Sequence, residues 1–216
     1  VSSWIQPGHD KRRLFSLLRG HRMKSVLQRM LNEDEFLSDF GIRSLSKYHE
    51  NNPYTMKING HTLSIRYTPG EADTQMFGGN SNWRGPIWFP INFLIMESLK
   101  KFDSYYGEDL SIEYPTGSGK FLTLDMIAKE LSLRCIRIFM RDENGNRPFQ
   151  GTHKKLQEDP HFKDHLLFYE YFHGDSGKGL GASHQTGWTA LVAEMIHSYY
   201  QPTASQNDDS SPLFRS

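Results

Sequence analysis

Four stretches of the chain repeat apolar residues at a helical period. Leu14, Leu17, Leu18, Val26, Leu27, Met30 and Leu31 predict a helix over 14–31, with Gly20 weakening its middle. Ile91, Leu94, Ile95, Leu99 and Phe102 predict a second over 87–105, where Pro90 is tolerable in a first turn. The clearest stripe is Leu124, Ile127, Ala128, Leu131, Cys135, Ile138 and Phe139, which predicts a helix over 123–141. A last one, over 188–200, carries Leu191, Val192, Met195, Ile196 and Tyr199 and is stopped by Pro202. A period of two occurs in one place. Met56-Lys57-Ile58 and Leu63-Ser64-Ile65-Arg66-Tyr67 flank Asn59-Gly60, a pair that accepts positive φ at both positions and therefore predicts a tight hairpin.

Between these elements the chain is irregular. Residues 1–13 read as a connection, with a turn at Pro7-Gly8 and a solvated run at Lys11-Arg12-Arg13. Phe40 to Ser46 is too apolar for a free loop. Residues 68–86 form a long loop with four glycines and two prolines, and its Phe77 and Trp83 argue against disorder. The expected fold is all-α. One domain covers 1–200 with a hairpin insertion at about 55–68, and a polar tail follows over 201–216.

Composition narrows the partners. The 25 basic and 25 acidic residues cancel, so no basic face recommends a nucleic acid or another polyanion. One cysteine, Cys135, allows neither an internal disulfide nor a multi-cysteine zinc site. No apolar run reaches the roughly 18–20 residues of a membrane span, and no signal pattern opens the chain. The cytoplasm is the default compartment. A start at Val1 rather than Met suggests a piece of a longer chain.

Three local patterns imitate chemistry without supporting it. Pro115-Thr116-Gly117-Ser118-Gly119-Lys120 lacks the first glycine and the Ser or Thr of a phosphate loop, since Tyr114 and Phe121 stand there. His161 and His165 sit four apart, but between them the chain reads Phe-Lys-Asp, not the metal-binding helix pattern. Arg43-Ser44 and Ser183-His184 are adjacent pairs, not a triad, and no nucleophile elbow occurs. No cofactor or metal is expected.

Two loop segments do carry a coherent chemistry. The first runs from Pro69 to Trp88 and holds Asn80, Asn82, Trp83, Arg84 and Trp88; the second runs from Phe168 to Trp188 and holds Glu170 and Gln185. Both end in a tryptophan that opens an apolar helix, so both belong at one end of a helical body. An indole offers a flat plate to the C–H face of a sugar ring. Arg84, Asn80, Asn82 and Gln185 are planar donors suited to hydroxyl pairs. A carboxylate can grip hydroxyls or move protons. Each has a plainer alternative: helix–loop packing for Trp83 and Trp88, a loop-pinning ion pair to Glu71 or Asp73 for Arg84, and an ordinary surface charge for Glu170.

Asn82-Trp83-Arg84-Gly85-Pro86-Ile87-Trp88, with Asn92 four on, resembles a motif of glycoside hydrolase family 63, the family of processing α-glucosidase I and mannosylglycerate hydrolase. Glu170-Tyr171-Phe172, Gly177, Gly181-Ala182 and Gly187-Trp188-Thr189-Ala190 resemble that family's closing motif, in the same order and spacing. The similarity spans about Phe40 to Tyr200. It implies the C-terminal portion of an (α/α)6 toroid and inverting hydrolysis of an α-glycosidic bond in an oligosaccharide or small glycoside. In that chemistry one acid protonates the leaving oxygen and a second, roughly 6.5–9.5 Å away, activates water. By the same resemblance Glu170 is the general base. Trp83, Arg84 and Trp188 match pocket-lining positions, with Asn82, Trp88 and Gln185 beside them.

The sequence departs from the family at the general acid. The expected Asp should lie well upstream of Trp83, and Asp39 does not match its motif. Twelve helices would also need far more than 216 residues. The chain therefore reads as a C-terminal part that needs the N-terminal part of the same protein. The competing class is a non-catalytic carbohydrate-binding or scaffold module.

Overall fold

The computed structural model describes residues 5–7, 13–16, 18, 20–74 and 81–200. The polar tail over 201–216, together with Phe77 and Asn80, lies outside them.

The core is helical. Helix α2 (Phe89–Tyr106) packs against α3 (Leu124–Arg137), and both meet α6 (Leu191–Tyr200), while α1 (Gly20–Met30) closes another side with Met23 and Leu27. Helix α3 follows its sequence stripe, burying Leu124, Ile127, Ala128, Leu131 and Cys135. Thr123 caps it, its hydroxyl accepting the Met126 N–H. Full burial pushes the Cys135 thiol up to about 12, so it is a packing group and not a nucleophile. Helix α2 follows its expected face only in part: Leu99 is buried and Ile95 and Phe102 pack against the core, but Ile91 and Leu94 stand exposed and Phe89, Asn92 and Met96 complete the inner side. After a short α4 (Lys154–Glu158), the last predicted helix is broken into a short α5 (Thr186–Thr189), which carries Trp188, and α6.

The all-α expectation, and with it the toroid, is overturned. Among the described residues five two-stranded antiparallel ribbons alternate with the helices, so the chain mixes α and β. In chain order they are β1 (Ile5–Pro7) with β2 (Arg13–Phe15), β3 (Leu37–Ser38) with β4 (Gly41–Ile42), and β5 (Tyr54–Ile58) with β6 (His61–Ile65). Then come β7 (Ser111–Glu113) with β8 (Phe121–Thr123), and β9 (Tyr171–Phe172) with β10 (Gly179–Leu180). Strand β2 takes Leu14 out of the first predicted helix, which begins at Gly20. The cause is backbone accounting. Leu37, Ile42, Tyr171, Phe172 and Leu180 are buried connection residues, and their N–H and C=O groups need partners that helices do not supply.

The one hairpin that the sequence announces is present, with Asn59 at φ 51° and Gly60 at φ 80° in its turn. The false phosphate loop is the turn of the β7–β8 ribbon, closed by Tyr114 N–H to Lys120 O at 2.8 Å. His161 and His165 are exposed on a turn.

Candidate functional site

The two motif segments are joined by backbone pairing. Ile87 N–H donates to Phe172 O at 2.8 Å, and Phe172 N–H returns to Ile87 O at 3.0 Å. That antiparallel bridge sets Trp88 beside Tyr171, their rings stacked at 4.8 Å and 19°. Trp83 stacks on the other face of the column, 3.8 Å from Trp88 and nearly coplanar at 4°, and Trp188 meets Trp88 edge-on at 5.6 Å. Tyr171 and Trp88 are buried, whereas Trp83 remains 43 % exposed. The column thus offers solvent one indole, backed by two rings. Such stacking contributes about 1 kcal/mol per pair beyond area burial.

Glu170 stands at the start of β9, half-buried. Ser81 donates its hydroxyl to Oε1 at 2.7 Å and Ala182 N–H reaches Oε2 at 3.3 Å. The Glu170 N–H donates to Ala182 O at 2.8 Å, and Thr189 Oγ1 donates to Tyr169 O at 2.5 Å, so the peptide group that precedes Glu170 is held at both of its polar atoms. One glycine of the run that follows makes this approach possible. Gly181 has φ +70°, and a Cβ there would lie 2.6 Å from Glu170 Oε2 and 2.9 Å from its Cβ. Only glycine lets the chain pass under the carboxylate.

The polar residues of the first segment face inward. Arg84 is buried, its Nη2 ion-paired with Asp73 at 2.8 Å and its Nε bound to Asn82 Oδ1 at 3.2 Å. Asn82 is buried too. It donates to Thr68 O and Gly70 O, both at 2.7 Å, and its backbone carbonyl accepts Trp88 Nε1 at 3.0 Å. Asp73 also pairs with Arg66 at 2.9 Å, and the Arg66 hydrogen bond, helped by Arg84, holds its carboxyl below the ordinary range. This trio therefore shapes the loop that bears Trp83. Gln185 is half-buried just ahead of α5, its N–H on Phe168 O at 2.7 Å, and the buried Trp188 indole N–H has no partner among the described residues. The Arg84–Asp73 pair is the loop-pinning alternative that the sequence offers, Tyr171 and Gly181 enter there only as motif positions, and Ser81 is the site residue without a signal in it. Asp39 is exposed beside Arg134 at 3.6 Å. A separate cleft of about 550 Å³, lined by Arg147, Lys154, Lys178, Asp142 and Glu158 among others, includes none of the expected site residues.

A second cluster braces the β9–β10 turn. The buried Arg43 donates to Asp175 Oδ1 at 2.9 Å and to Tyr67 Oη at 3.1 Å, and Tyr67 in turn donates to Asp175 at 3.1 Å. Burial alone would raise the Asp175 carboxyl, but hydrogen bonds and charge from Arg43, with Lys47 nearby, hold it below its ordinary value. The folded pKa is depressed, so this stabilisation is complete above about pH 4 and is lost as pH falls further. We expect the melting temperature to drop steeply below pH 4. D175N should flatten that slope and cost on the order of 2 kcal/mol at neutral pH. An unchanged acid profile in D175N would contradict this assignment.

Together these features define a helical body with a loop-built site, in which one carboxylate lies among aromatic rings. Residues 14–114 match the model of the glycosyl hydrolase family 63 C-terminal domain. The match covers just under half of the chain, takes in the Asn82–Trp88 segment but not the Glu170 segment, and is to the family that both motifs resemble. It is 54 % identical over 198 residues to uncharacterized protein YMR196W of Saccharomyces cerevisiae, covering 91 % of this chain and 18 % of that protein. It is 26 % identical over 178 residues to the mannosyl-oligosaccharide glucosidase of the same yeast, covering 81 % and 15 %. A probable mannosyl-oligosaccharide glucosidase of Schizosaccharomyces pombe is 28 % identical over 179 residues, covering 83 % and 16 %. The chain thus spans less than a fifth of the length of these relatives.

Proposed function

We propose that this chain supplies the general base and one wall of the sugar site of an inverting α-glycosidase. Its substrate would be an oligosaccharide ending in an α-linked glucose. The observation that carries this reading is the Ile87–Phe172 pairing, which brings the two family-like segments together so that Glu170 and the open face of Trp83 belong to one loop cluster. The name of the two glucosidase relatives supports the substrate class.

In this mechanism the sugar's C–H face lies on Trp83, with Trp188 and Gln185 at its edge. Glu170 accepts a proton from a water molecule as that water attacks the anomeric carbon, while an acid from elsewhere in the same protein protonates the leaving oxygen. Ser81 and the Ala182 N–H keep the carboxylate aimed. Arg84, Asn82 and Trp88 hold the plate rather than touch the sugar. The chain alone would turn over weakly or not at all, because a base without its acid leaves a poor leaving group.

The stereochemistry tests this directly. The full-length protein should release glucose first as the β-anomer from an α-linked glucosyl disaccharide, seen by proton NMR before mutarotation. Initial α-glucose beyond the share contributed by the reducing-end sugar would mean retention and would exclude Glu170 as the base of a single displacement by water.

A further inference from the structure

Glu71 lies in the loop that the Trp83 segment holds in place, yet among the described residues no side chain or backbone group pairs with the Glu71 carboxylate. Pro69 O accepts the Gly174 N–H at 2.9 Å, and Gly70 O accepts Asn82 Nδ2 at 2.7 Å. Two residues beyond, Asp73 is clamped by Arg84 and Arg66. The chain is thus held by its backbone just ahead of Glu71 and by the Asp73 side chain two residues after it, while the Glu71 side chain is exposed and makes no hydrogen bond or ion pair with the described residues.

Its position follows from the same bonds. Gly70 rests on Asn82, and Ser81, the neighbour of Asn82, carries Glu170 at 2.7 Å. Glu71 and Glu170 therefore flank the two-residue step Ser81-Asn82. Tyr171 lies between them electrostatically: burial, then the negative charges of Glu71 and Glu170, push its phenol up to about 12. Two carboxylates, one open indole and a protonated phenol converge on one small region.

We propose that Glu71 is a second acid of the sugar site, one that accepts hydrogen bonds from neighbouring hydroxyls of the bound hexose. A carboxylate has two acceptor oxygens, which match a vicinal pair of ring hydroxyls on a sugar stacked against an indole. Glu71 then binds and selects, and Glu170 handles the water. This assignment rests on the glycosidase reading above.

The test uses the full-length protein with the four α-linked glucose disaccharides, kojibiose, nigerose, maltose and isomaltose, and calorimetric binding of glucose and mannose. In E71Q we expect KM to rise, and free-sugar affinity to fall, by about tenfold. The kcat should stay within about threefold, and the melting temperature should not change. E71D, which keeps the charge, should recover part of the affinity. Unchanged KM and affinity in E71Q would overturn the proposal. So would roughly a hundredfold loss of kcat at constant KM, since that would make Glu71 a proton donor. If the wild type cleaves none of the four, the glycosidase reading fails, and the binding arm still decides Glu71. Absence of any glucose or mannose binding by the wild type would overturn it as well.

Discussion

Exchanging Glu170 for glutamine in the full-length protein is expected to lower kcat by about a thousandfold while sugar affinity stays near that of the wild type. Glutamine matches glutamate in size, and its carbonyl oxygen can still accept one of the two bonds from Ser81 and Ala182, so the local packing survives. What disappears is the proton acceptor. Water must then attack without assistance, although the acid still serves the leaving oxygen. Glycoside hydrolysis needs both ends of that transfer, so losing the base alone removes most of the acceleration. The same variant separates the enzyme from the competing class. A non-catalytic carbohydrate-binding module would show no turnover to lose and would bind sugar equally well with or without the substitution. Wild-type rates in E170Q would end the case for Glu170 as base and would move the search to Glu71.

How much of this was legible in the sequence depended on the range of the interactions. Helix α3 was fully legible because a 14-residue amphipathic stripe repeats its signal several times. The β5–β6 hairpin was legible because one dipeptide fixes its turn. The two- and three-residue ribbons were not, since alternation needs at least about four residues to register. They form because buried loop backbone needs partners, a demand set by tertiary packing and invisible in local pattern. The face of α2 was misjudged in part for a related reason: Ile91 and Leu94 are as apolar as the buried residues, and only Asn92 marks the inner side. That asparagine binds Ile42 N–H at 2.7 Å and Ile42 O at 3.1 Å, tying α2 to β4. At the site, residue type alone drew attention to Arg84 and Asn82 as sugar donors, but both are bound to loop backbone and Asp73. The reverse holds for Ser81, whose small hydroxyl carries no signal until the fold sets it against Glu170.

Gly85, inside the same motif, should be the least replaceable residue of the site region. It adopts φ +147°, and a Cβ there would lie 2.6 Å and 2.9 Å from the Tyr67 ring and 3.0 Å from Thr68 O. Tyr67 cannot retreat. Its hydroxyl is locked between Arg43 and Asp175, and Gly174 packs against both partners, where an added Cβ would sit 2.5 Å from Gly85 O and 2.7 Å from Tyr67 Oη. G85A therefore combines backbone strain with overpacking against an immobile ring, and we expect a loss of roughly 3–5 kcal/mol. Gly60 makes the control. It too has positive φ, +80°, but an added Cβ would meet nothing within 4 Å. G60A should thus cost only the conformational part, about 1 kcal/mol. Thermal unfolding of both variants of the full-length protein reads the difference. The close-approach explanation fails if G85A melts at nearly the same temperature as G60A. If it holds, the glycine of this motif belongs to the scaffold: it lets the Trp83 loop lie close against the β9–β10 turn, the placement on which the proposed sharing of one sugar by Glu170 and Trp83 depends.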